Sequence, residues 1–496
     1  MMTYIGEAEV TCVPSIPEGI PSALDDPSSS SGISATSPCS PQAEQPERTL
    51  AIDLAQRDER LRGLLESESM ENDDFWSFRG NSVREHAHGC FQYPAMTVPQ
   101  LQRHLLRSVY SIAPEMTRVF DPFVGSGTTM TESMFQGFDF HGTDINPLAV
   151  LLCHSKASAV DRTTLTETVD YVARRIEKEG SKSVAVKFNG LDKWFRADVA
   201  VELSRIHRAI QSVVDDVARR ICWVALAETV RLSSNSRTST FKLHTRPREQ
   251  IDTRAIQPIA TFEAVLKANV KNLLQQAAEL ENRGYIRESR YTGRVDVRLE
   301  DAARPYDPSE GLHHLLITSP PYGDNTTTVP YGQHSYLPLQ WIDPNDLDPQ
   351  YDPACLSTTH EIDRRSLGGN RKHALKEVEP LRERSPVLDE TLRNLANEPR
   401  DRSLRVAAFF RDMDRTLDPI LSRLSSNAYM VWTVGNRSVG KRPVPLDVIL
   451  TQLLTSRGAT SVATIVRRIP SKRMAVKNSV TATMRQETIL ILRKGR

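Results

Sequence analysis

The stretch that decides the fold is Val119-Phe120-Asp121-Pro122-Phe123-Val124-Gly125-Ser126-Gly127-Thr128-Thr129. Its apolar start predicts a short buried strand, and the residues after it predict a glycine turn followed by a helix. Glycines let a backbone approach a ligand closely, and a helix start presents free N–H groups. The stretch lacks the lysine of a phosphate-binding loop, and Met130 stands where a dinucleotide loop needs its third glycine. We therefore expect a nucleoside-type cofactor without a pyrophosphate.

A second strand is predicted over residues 138–143, and it ends at Asp144-Ile145-Asn146-Pro147. An acid at the end of the second strand of such a fold can accept hydrogen bonds from both ribose hydroxyls. The alternative is that Asp144 caps the helix that Pro147 opens. We favour the ribose role because the glycine loop lies shortly upstream.

A third stretch, Thr318-Ser319-Pro320-Pro321-Tyr322-Gly323-Asp324-Asn325, follows the apolar run Leu315-Leu316-Ile317. Consecutive prolines cannot join a central ladder, and they stiffen the loop that leaves a buried strand. Such a loop would hold a hydroxyl, a backbone acceptor and an aromatic face in fixed positions. These groups suit a planar base that carries an amine. The alternative is an ordinary proline-rich loop.

Taken in this order, the three stretches resemble the S-adenosylmethionine-dependent amino-methyltransferases of DNA. The resemblance covers roughly residues 86–158 and 292–345, and more loosely 428–495. It implies an α/β fold with a doubly wound, Rossmann-like sheet whose last two strands pair antiparallel. It also implies S-adenosylmethionine as the cofactor and DNA as the partner.

The resemblance implies two sets of site residues in this chain. The catalytic set is Ser319, Pro320, Pro321 and Tyr322. The cofactor set is Tyr93, Pro94, Asp121, Phe123, Gly125, Ser126, Gly127, Thr128, Asp144, Ile145, Asn146 and Asp301. For the place against the adenine ring, Glu300 is a close competitor of Asp301.

The reaction that the resemblance implies needs a base outside the stack, because a duplex hides the exocyclic amine. Tyr322 would stack on the base, while Ser319 and the Pro320 carbonyl would hold the amine for direct displacement without a covalent intermediate. Ser319 favours the N4 amine of cytosine, with the N6 amine of adenine as the alternative. An RNA N-methyltransferase and a non-catalytic DNA-binding protein on the same scaffold also stay open.

The chain of 496 residues divides into four predicted regions. Residues 1–47 form an acidic, Ser/Pro-rich tail that we expect to be disordered. Residues 48–159 form the cofactor-binding part, and 291–496 the part with the catalytic loop. Residues 160–290 form a helical insertion between the second helix and the third strand, and we expect them to help choose the target.

Several polar and basic residues outside the motifs are candidates for substrate contact, because such side chains suit phosphates and base edges. They are Asn235, Arg237, Lys242, Tyr331, Arg364, Arg365 and Arg371. Exposed loops without a ligand are the alternative for most of them. Seven of the 62 acidic residues and none of the 63 basic residues lie in residues 1–47, so the remaining chain is mildly basic.

The six scattered cysteines suit a reducing cytoplasm, which is the expected location. No apolar run reaches the length of a membrane span, and the first residues lack a charged signal region, so nothing in the sequence indicates a membrane or export. We expect no metal at His86-x-His88-x-Cys90, because a second ligand cluster is missing. No nuclease or ATPase motif is present, so any restriction activity would come from a separate subunit.

Overall fold

The computed structural model describes residues 44–71, 74–158, 161–469 and 485–495. Most of the predicted tail therefore lies outside the described residues, and so does most of a basic turn predicted at 467–474. Helix α1 begins at Glu44, before the predicted end of the tail at residue 47. No helix in the described ranges is long and apolar enough to cross a membrane.

The helices of the described ranges differ widely in length. They are α1 Glu44–Glu71, α2 Pro99–Ile112, α3 Thr128–Met134, α4 Pro147–Ala157, α5 Arg162–Lys178, α6 Leu191–Trp194, α7 Ala197–Gln211, α8 Asp216–Ser233, α9 Arg248–Thr253, α10 Pro258–Asn282, α11 Tyr331–Leu339, α12 Glu361–Arg365, α13 Ala374–Glu377, α14 Glu379–Arg384, α15 Pro386–Leu395, α16 Arg400–Ser422 and α17 Leu446–Thr455.

The strands form one large sheet and two small hairpins. They are β1 Arg118–Asp121, β2 Asp139–Asp144, β3 Ile286–Arg287, β4 Arg290–Tyr291, β5 Val295–Leu299, β6 His313–Thr318, β7 Leu424–Val434, β8 Arg437–Val439, β9 Arg442–Val444, β10 Thr460–Arg468 and β11 Gln486–Arg493.

The large sheet has the strand order β10-β11-β7-β6-β1-β2-β5. Strands β5, β2, β1, β6 and β7 pair in parallel, whereas β11 runs antiparallel to β7 and to β10. The predicted α/β class and the antiparallel pairing of the last two strands are therefore confirmed. The strand order reverses beside β1, and ligands bind at such switch points in open α/β sheets.

Central strands of this sheet are apolar because both of their faces are covered. Leu315, Leu316 and Ile317 of β6 are completely buried. Leu316 packs in a cluster with residues of α16 and α17 on one face, while Leu315 and Ile317 pack with residues of α2 and α3 on the other. This burial fixes β6, and with it the start of the proline-containing loop.

Helices α5 to α10 lie in the interval between α4 and β5, where the sequence predicted a helical insertion. The apolar residues from 199 to 221 form two helices rather than one continuous face. The chain turns at 212–215, where the Asp215 carboxylate accepts a hydrogen bond from the Ala218 N–H and caps α8. Most of these residues are buried in a core that they share with residues of α4 and α11.

Candidate active site

The glycine loop between β1 and α3 has a backbone shape that depends on its two glycines. Gly125 has φ of 50° and Gly127 has φ of 74°, both in the left-handed region. A Cβ atom added to Gly127 would lie 2.8 Å from the Sγ atom of Cys153 in α4. The loop therefore lies directly against α4 and turns sharply into α3.

Asp144, at the end of β2, holds this loop from the side. Its Oδ2 accepts a hydrogen bond from the Gly125 N–H at 2.9 Å, and its Oδ1 accepts one from the Asn146 N–H at 2.9 Å. Burial raises the pKa of the Asp144 carboxyl to about 6, although these backbone donors oppose the shift. The carboxylate stands beside the glycine loop and shapes it.

The alternative role for Asp144, as the cap of α4, belongs instead to Asn146. The Asn146 side-chain oxygen accepts from the Leu148 N–H, and its amide donates to the Tyr93 hydroxyl at 3.1 Å and to Ser335 Oγ at 2.8 Å. Asn146 is buried, so it connects the segment around Tyr93 with α4 and α11. Ile145, between the two polar residues, is half-buried.

A hydrogen bond between side chains joins the glycine loop to the proline-containing loop. Thr318 Oγ1 donates to Asp121 Oδ1 at 2.6 Å, and the same oxygen accepts from the Phe123 N–H at 3.1 Å. Burial raises the pKa of the Asp121 carboxyl to about 6, and these hydrogen bonds lower it in part. The ends of β1 and β6 are thus linked at the switch point of the sheet.

A cavity lies at this point, with an empty volume of about 560 Å³ that includes space open to solvent. Ten of the predicted site residues line it: Tyr93, Pro94, Asp121, Phe123, Gly125, Ser126, Thr128, Ser319, Pro321 and Tyr331. The structure therefore brings together the predicted cofactor loop, the proline-containing loop and the segment around Tyr93. The cavity lining contains the Asp121 carboxylate and no Lys, Arg or His side chain from the described part of the chain.

Tyr331 was predicted as a substrate contact, and it lies on the wall of this cavity. Its ring centroid is 5.8 Å from that of Tyr93, and it is the first residue of α11. Asp363 fixes the start of that helix, because its carboxylate accepts from the N–H groups of Gly332 and Gln333 at 2.8 and 3.2 Å. No sequence motif pointed to Asp363, since its partners lie about thirty residues away.

The proline-containing loop is held by a chain of polar contacts. Ser319 Oγ lies 3.2 Å from the Tyr322 hydroxyl, and that hydroxyl donates to Glu487 Oε1 of β11 at 3.1 Å. Pro320 is buried, and Tyr322 is half-buried against an apolar cluster. Asp324, further along the loop, is buried and pairs with Arg437 at 3.0 Å. Glu487 and Arg437 were not predicted, because each lies more than a hundred residues from its partner.

Glu300 and Asp301, the two candidates at the end of β5, have different surroundings. Glu300 is buried, and its carboxylate lies 2.5 Å from Arg423 Nη2 and also contacts Arg304. Asp301 is exposed, and its carboxylate accepts from the Ala303 N–H. Glu300 is therefore committed to a buried ion pair, which leaves Asp301 as the accessible acid. Neither residue lines the cavity.

The predicted contact segment of the insertion is only partly accessible. Asn235 is buried, and its amide donates to the Lys193 carbonyl at 3.0 Å, so this side chain holds the segment in place. Arg237 is exposed and Lys242 is half-buried. Both line a second concavity, together with Phe241 and His334.

The three arginines predicted as phosphate contacts all have carboxylate partners. Arg364 pairs with Glu361 at 3.2 Å, Arg365 pairs with Asp352 at 2.8 Å, and Arg371 contacts Asp401. Arg364 and Arg365 belong to helix α12 rather than to an open loop. Exposed pairs of this kind are weak, so they do not prevent an arginine from exchanging its carboxylate for a phosphate.

The glycines at 368 and 369 serve internal packing. A Cβ on Gly368 would lie 3.1 Å from the Asp324 Cβ, and one on Gly369 would lie 2.4 Å from the Arg364 carbonyl oxygen. The buried Arg411 also donates to the Asn370 and Lys372 carbonyls. The sequence suggested that these glycines allow close approach to a nucleic acid, whereas in the structure the neighbours are the protein's own atoms.

His88, in the His86-x-His88-x-Cys90 motif, is buried against α3. Its Nε2 lies 2.9 Å from Glu132 Oε1, and Arg103 pairs with the same carboxylate at 2.8 Å. Burial lowers the pKa of His88, although the Glu132 carboxylate opposes this effect. No group of three potential metal ligands occurs among the residues that the structure describes.

Comparison with known proteins shows similarity to type II methyltransferases. The chain is 28% identical over 460 residues to the type II methyltransferase M.MvaI of Kocuria varians, which covers 89% of this chain and 98% of the relative. It is 32% identical over 77 residues to the type II methyltransferase M.MjaII of Methanocaldococcus jannaschii, which covers 16% and 14% of the two chains. No protein-family model and no solved structure matches the chain. The similarity to M.MvaI thus extends over nearly the whole chain.

Proposed function

We propose that this homologue of type II methyltransferases is a DNA methyltransferase of a restriction-modification system, and that it methylates the N4 amine of cytosine. The observation that carries the proposal is the hydrogen bond from Thr318 to Asp121. It places Ser319 on the same cavity as the glycine loop. A cofactor seat and an acceptor loop that share one cavity suit direct transfer of a group between two bound molecules.

The residues of the cavity fit S-adenosylmethionine better than a phosphate-bearing cofactor. The lining has a carboxylate, and Asp144 stands beside the glycine loop, while the lining contributes no cationic side chain from the described residues. Such a site suits a positively charged sulfonium and would repel phosphates. Asp144 is placed to accept from the ribose hydroxyls, and Tyr93, Pro94 and Phe123 offer apolar walls.

When bound, S-adenosylmethionine supplies the methyl group. The chain's own residues then have to position the base and restore the nucleophilic character of its amine. Ser319 Oγ and the Pro320 carbonyl accept hydrogen bonds from the amine, which draws its N–H groups out of the ring plane. Positioning and fixed dipoles of this kind supply the rate enhancement in the absence of a covalent step.

The DNA around the target base would be contacted outside the cavity. Arg237 and Lys242 of the insertion are the accessible cationic groups of the predicted contact segment, and Arg364, Arg365 and Arg371 can contribute phosphate contacts. Such contacts position the duplex without reading its sequence. A separate chain would supply the restriction endonuclease.

The experiment uses labelled S-adenosylmethionine with duplex DNA and, in parallel, with structured RNA. The products are digested to nucleosides and separated. We expect label in N4-methylcytosine from DNA, and loss of that label in Ser319→Ala. Label in N6-methyladenine would overturn the choice of base, and label in RNA alone would overturn the choice of substrate.

A further inference from the structure

We propose that Glu487, acting through Tyr322, is a positioning residue that orients the Ser319 hydroxyl as a hydrogen-bond acceptor toward the amine of the target base. The inference rests on the proposed function and assigns a role to a residue at the far end of the chain. Glu487 lies on β11, which is separated from the proline-containing loop by more than 150 residues.

Ser319, Tyr322 and Glu487 are linked by two hydrogen bonds, and the number of available protons determines which group donates in each. The Tyr322 hydroxyl has one proton, which it donates to Glu487 Oε1 at 3.1 Å. At its contact of 3.2 Å with Ser319 Oγ, the tyrosine oxygen must therefore accept. The Ser319 proton is used in this contact, so the serine has only lone pairs to offer to another partner.

Arg467 gives the Glu487 carboxylate a second, charged partner besides the Tyr322 hydroxyl. Arg467 Nη1 lies 3.0 Å from Glu487 Oε2, and the two residues face each other across the β10–β11 pairing. Arg467 is buried and the Glu487 side chain is 13% exposed, so the pair is shielded from solvent. An ionised carboxylate has no proton to donate, so it can only accept the hydrogen bond from the tyrosine hydroxyl.

The orientation matters because the amine must attack with its lone pair. A serine that donated to the amine nitrogen would occupy this lone pair, whereas a serine that accepts from an N–H leaves it free. Both cytosine and adenine amines donate N–H groups. This polarity would serve either amine, and the role of Glu487 is to set it at Ser319.

Glu487→Gln tests this polarity with almost no change of shape. The glutamine oxygen can accept from Arg467, which leaves its NH₂ group to donate to the Tyr322 oxygen. Tyr322 would then donate to Ser319, and Ser319 would point its proton at the amine. We expect kcat to fall by at least about tenfold, by analogy with the loss of one fixed hydrogen bond at a reacting centre. The KM for S-adenosylmethionine should stay unchanged.

A matched control is Glu379→Gln, which alters another Glu–Arg pair, at 2.9 Å, between Glu379 and Arg382. Both residues lie in α14, and neither lines the cavity. We expect this variant to keep the wild-type kcat. Equal loss of kcat in the two variants would overturn the inference.

A double-mutant cycle with Tyr322→Phe separates positioning from mere stability. If Glu487 acts through the tyrosine hydroxyl, Glu487→Gln should have no further effect on kcat in the Tyr322→Phe background. If Glu487 only stabilises the sheet, the two losses should multiply, and that result would overturn the inference. Thermal unfolding of each variant shows whether the fold is intact.

A readout without turnover distinguishes failure of the inference from failure of the proposed function. Protein labelled with 3-fluorotyrosine gives a ¹⁹F resonance for Tyr322, which is assigned by its loss in Tyr322→Phe. We expect Glu487→Gln to shift this resonance and Glu379→Gln to leave it in place. An unshifted resonance would overturn the hydrogen-bond chain, whereas absence of methyl transfer by the wild-type protein would overturn the function.

Discussion

Two carboxylates, the buried Asp121 and the half-buried Asp144, determine the electrostatics of the site at the residue scale. Burial raises the pKa of each carboxyl to about 6, against an ordinary value near 3.8. A raised folded pKa means that the folded protein binds the proton more tightly than the unfolded chain. The ionised forms therefore lower the free energy of unfolding as pH rises from about 4 through about 6.

The first prediction concerns the pH dependence of cofactor binding. Asp144 must be ionised to accept from ribose hydroxyls, so we expect the affinity for S-adenosylmethionine to fall below pH 6, by at most about tenfold per pH unit. Titration calorimetry from pH 5 to pH 8 measures this, and Asp144→Asn should bind weakly with a flatter profile. A wild-type dissociation constant that is the same at pH 5 and pH 7 would contradict the ribose role.

The second prediction concerns Gly127, where the left-handed backbone and the close contact with Cys153 both require a glycine. Gly127→Ala should lower the free energy of unfolding by about 1–3 kcal/mol and weaken cofactor binding, because φ is 74° and the new Cβ would lie 2.8 Å from Cys153 Sγ. Gly284→Ala is the matched control, since φ is 76° there and no described atom lies within 4 Å of the added Cβ. Chemical denaturation measures both variants. An equal loss in the two would show that backbone strain alone accounts for the effect.

At the scale of elements, the site is a property of neighbouring strand ends. β1 pairs with β6 through Val119 opposite Leu315 and Phe120 opposite Leu316. This register brings Asp121 and Thr318 together at the carboxyl edge of the sheet, where their side chains form the 2.6 Å hydrogen bond. The glycine loop and the proline-containing loop are thereby held at a constant separation.

The third prediction tests this connection. Thr318→Val keeps the shape of the side chain but removes the donor, which leaves the buried Asp121 carboxylate with one partner fewer. We expect the free energy of unfolding to fall by about 1–3 kcal/mol and kcat/KM for methyl transfer to fall with it. Thr433→Val on β7 is the control, because the buried Thr433 hydroxyl has no hydrogen-bond partner among the described residues. A Thr318→Val enzyme as stable and active as the control would show that the connection is dispensable.

At the scale of the whole molecule, the insertion is attached to the segment that follows α11. Asp346 accepts from Arg219 at 2.7 Å and from the Trp223 indole N–H at 2.7 Å, and both partners lie on α8. His207 Nδ1 lies 2.9 Å from the Trp341 carbonyl oxygen in the same region. The candidate recognition helices are therefore held firmly against the half of the chain that contains the catalytic loop.

The fourth prediction concerns this attachment. Asp346→Ala should lower the free energy of unfolding by about 1–3 kcal/mol, because it removes the half-buried acceptor that Arg219 and Trp223 share. Asp216→Asn removes the exposed carboxylate partner of the same arginine, and we expect a loss below about 1 kcal/mol. Urea denaturation compares the two. Similar losses in both variants would show that Asp346 stabilises the fold no more than the exposed Asp216 does.

Short-range patterns predicted the elements well, because apolar runs bounded by Gly, Pro or Asp depend on neighbouring residues. The strands at 119–121, 315–318 and 428–434 follow from such runs. The same patterns missed the turn at 212–215, since apolar spacing alone cannot show where a helix ends. They also left the role of Asp144 open between ribose binding and the cap of α4, and in the structure Asn146 caps that helix.

The α/β class, the glycine loop and the proline-containing loop followed from the sequence, because backbone preferences and hydrophobic periodicity act over a few residues. The residues expected around the cofactor came from the resemblance to a known family. Only the tertiary structure decided which side chains meet: Thr318 with Asp121 across 197 residues, and Tyr322 with Glu487 across 165. Such pairs arise from strand order and register, because parallel strands bring distant parts of the chain to one edge of the sheet.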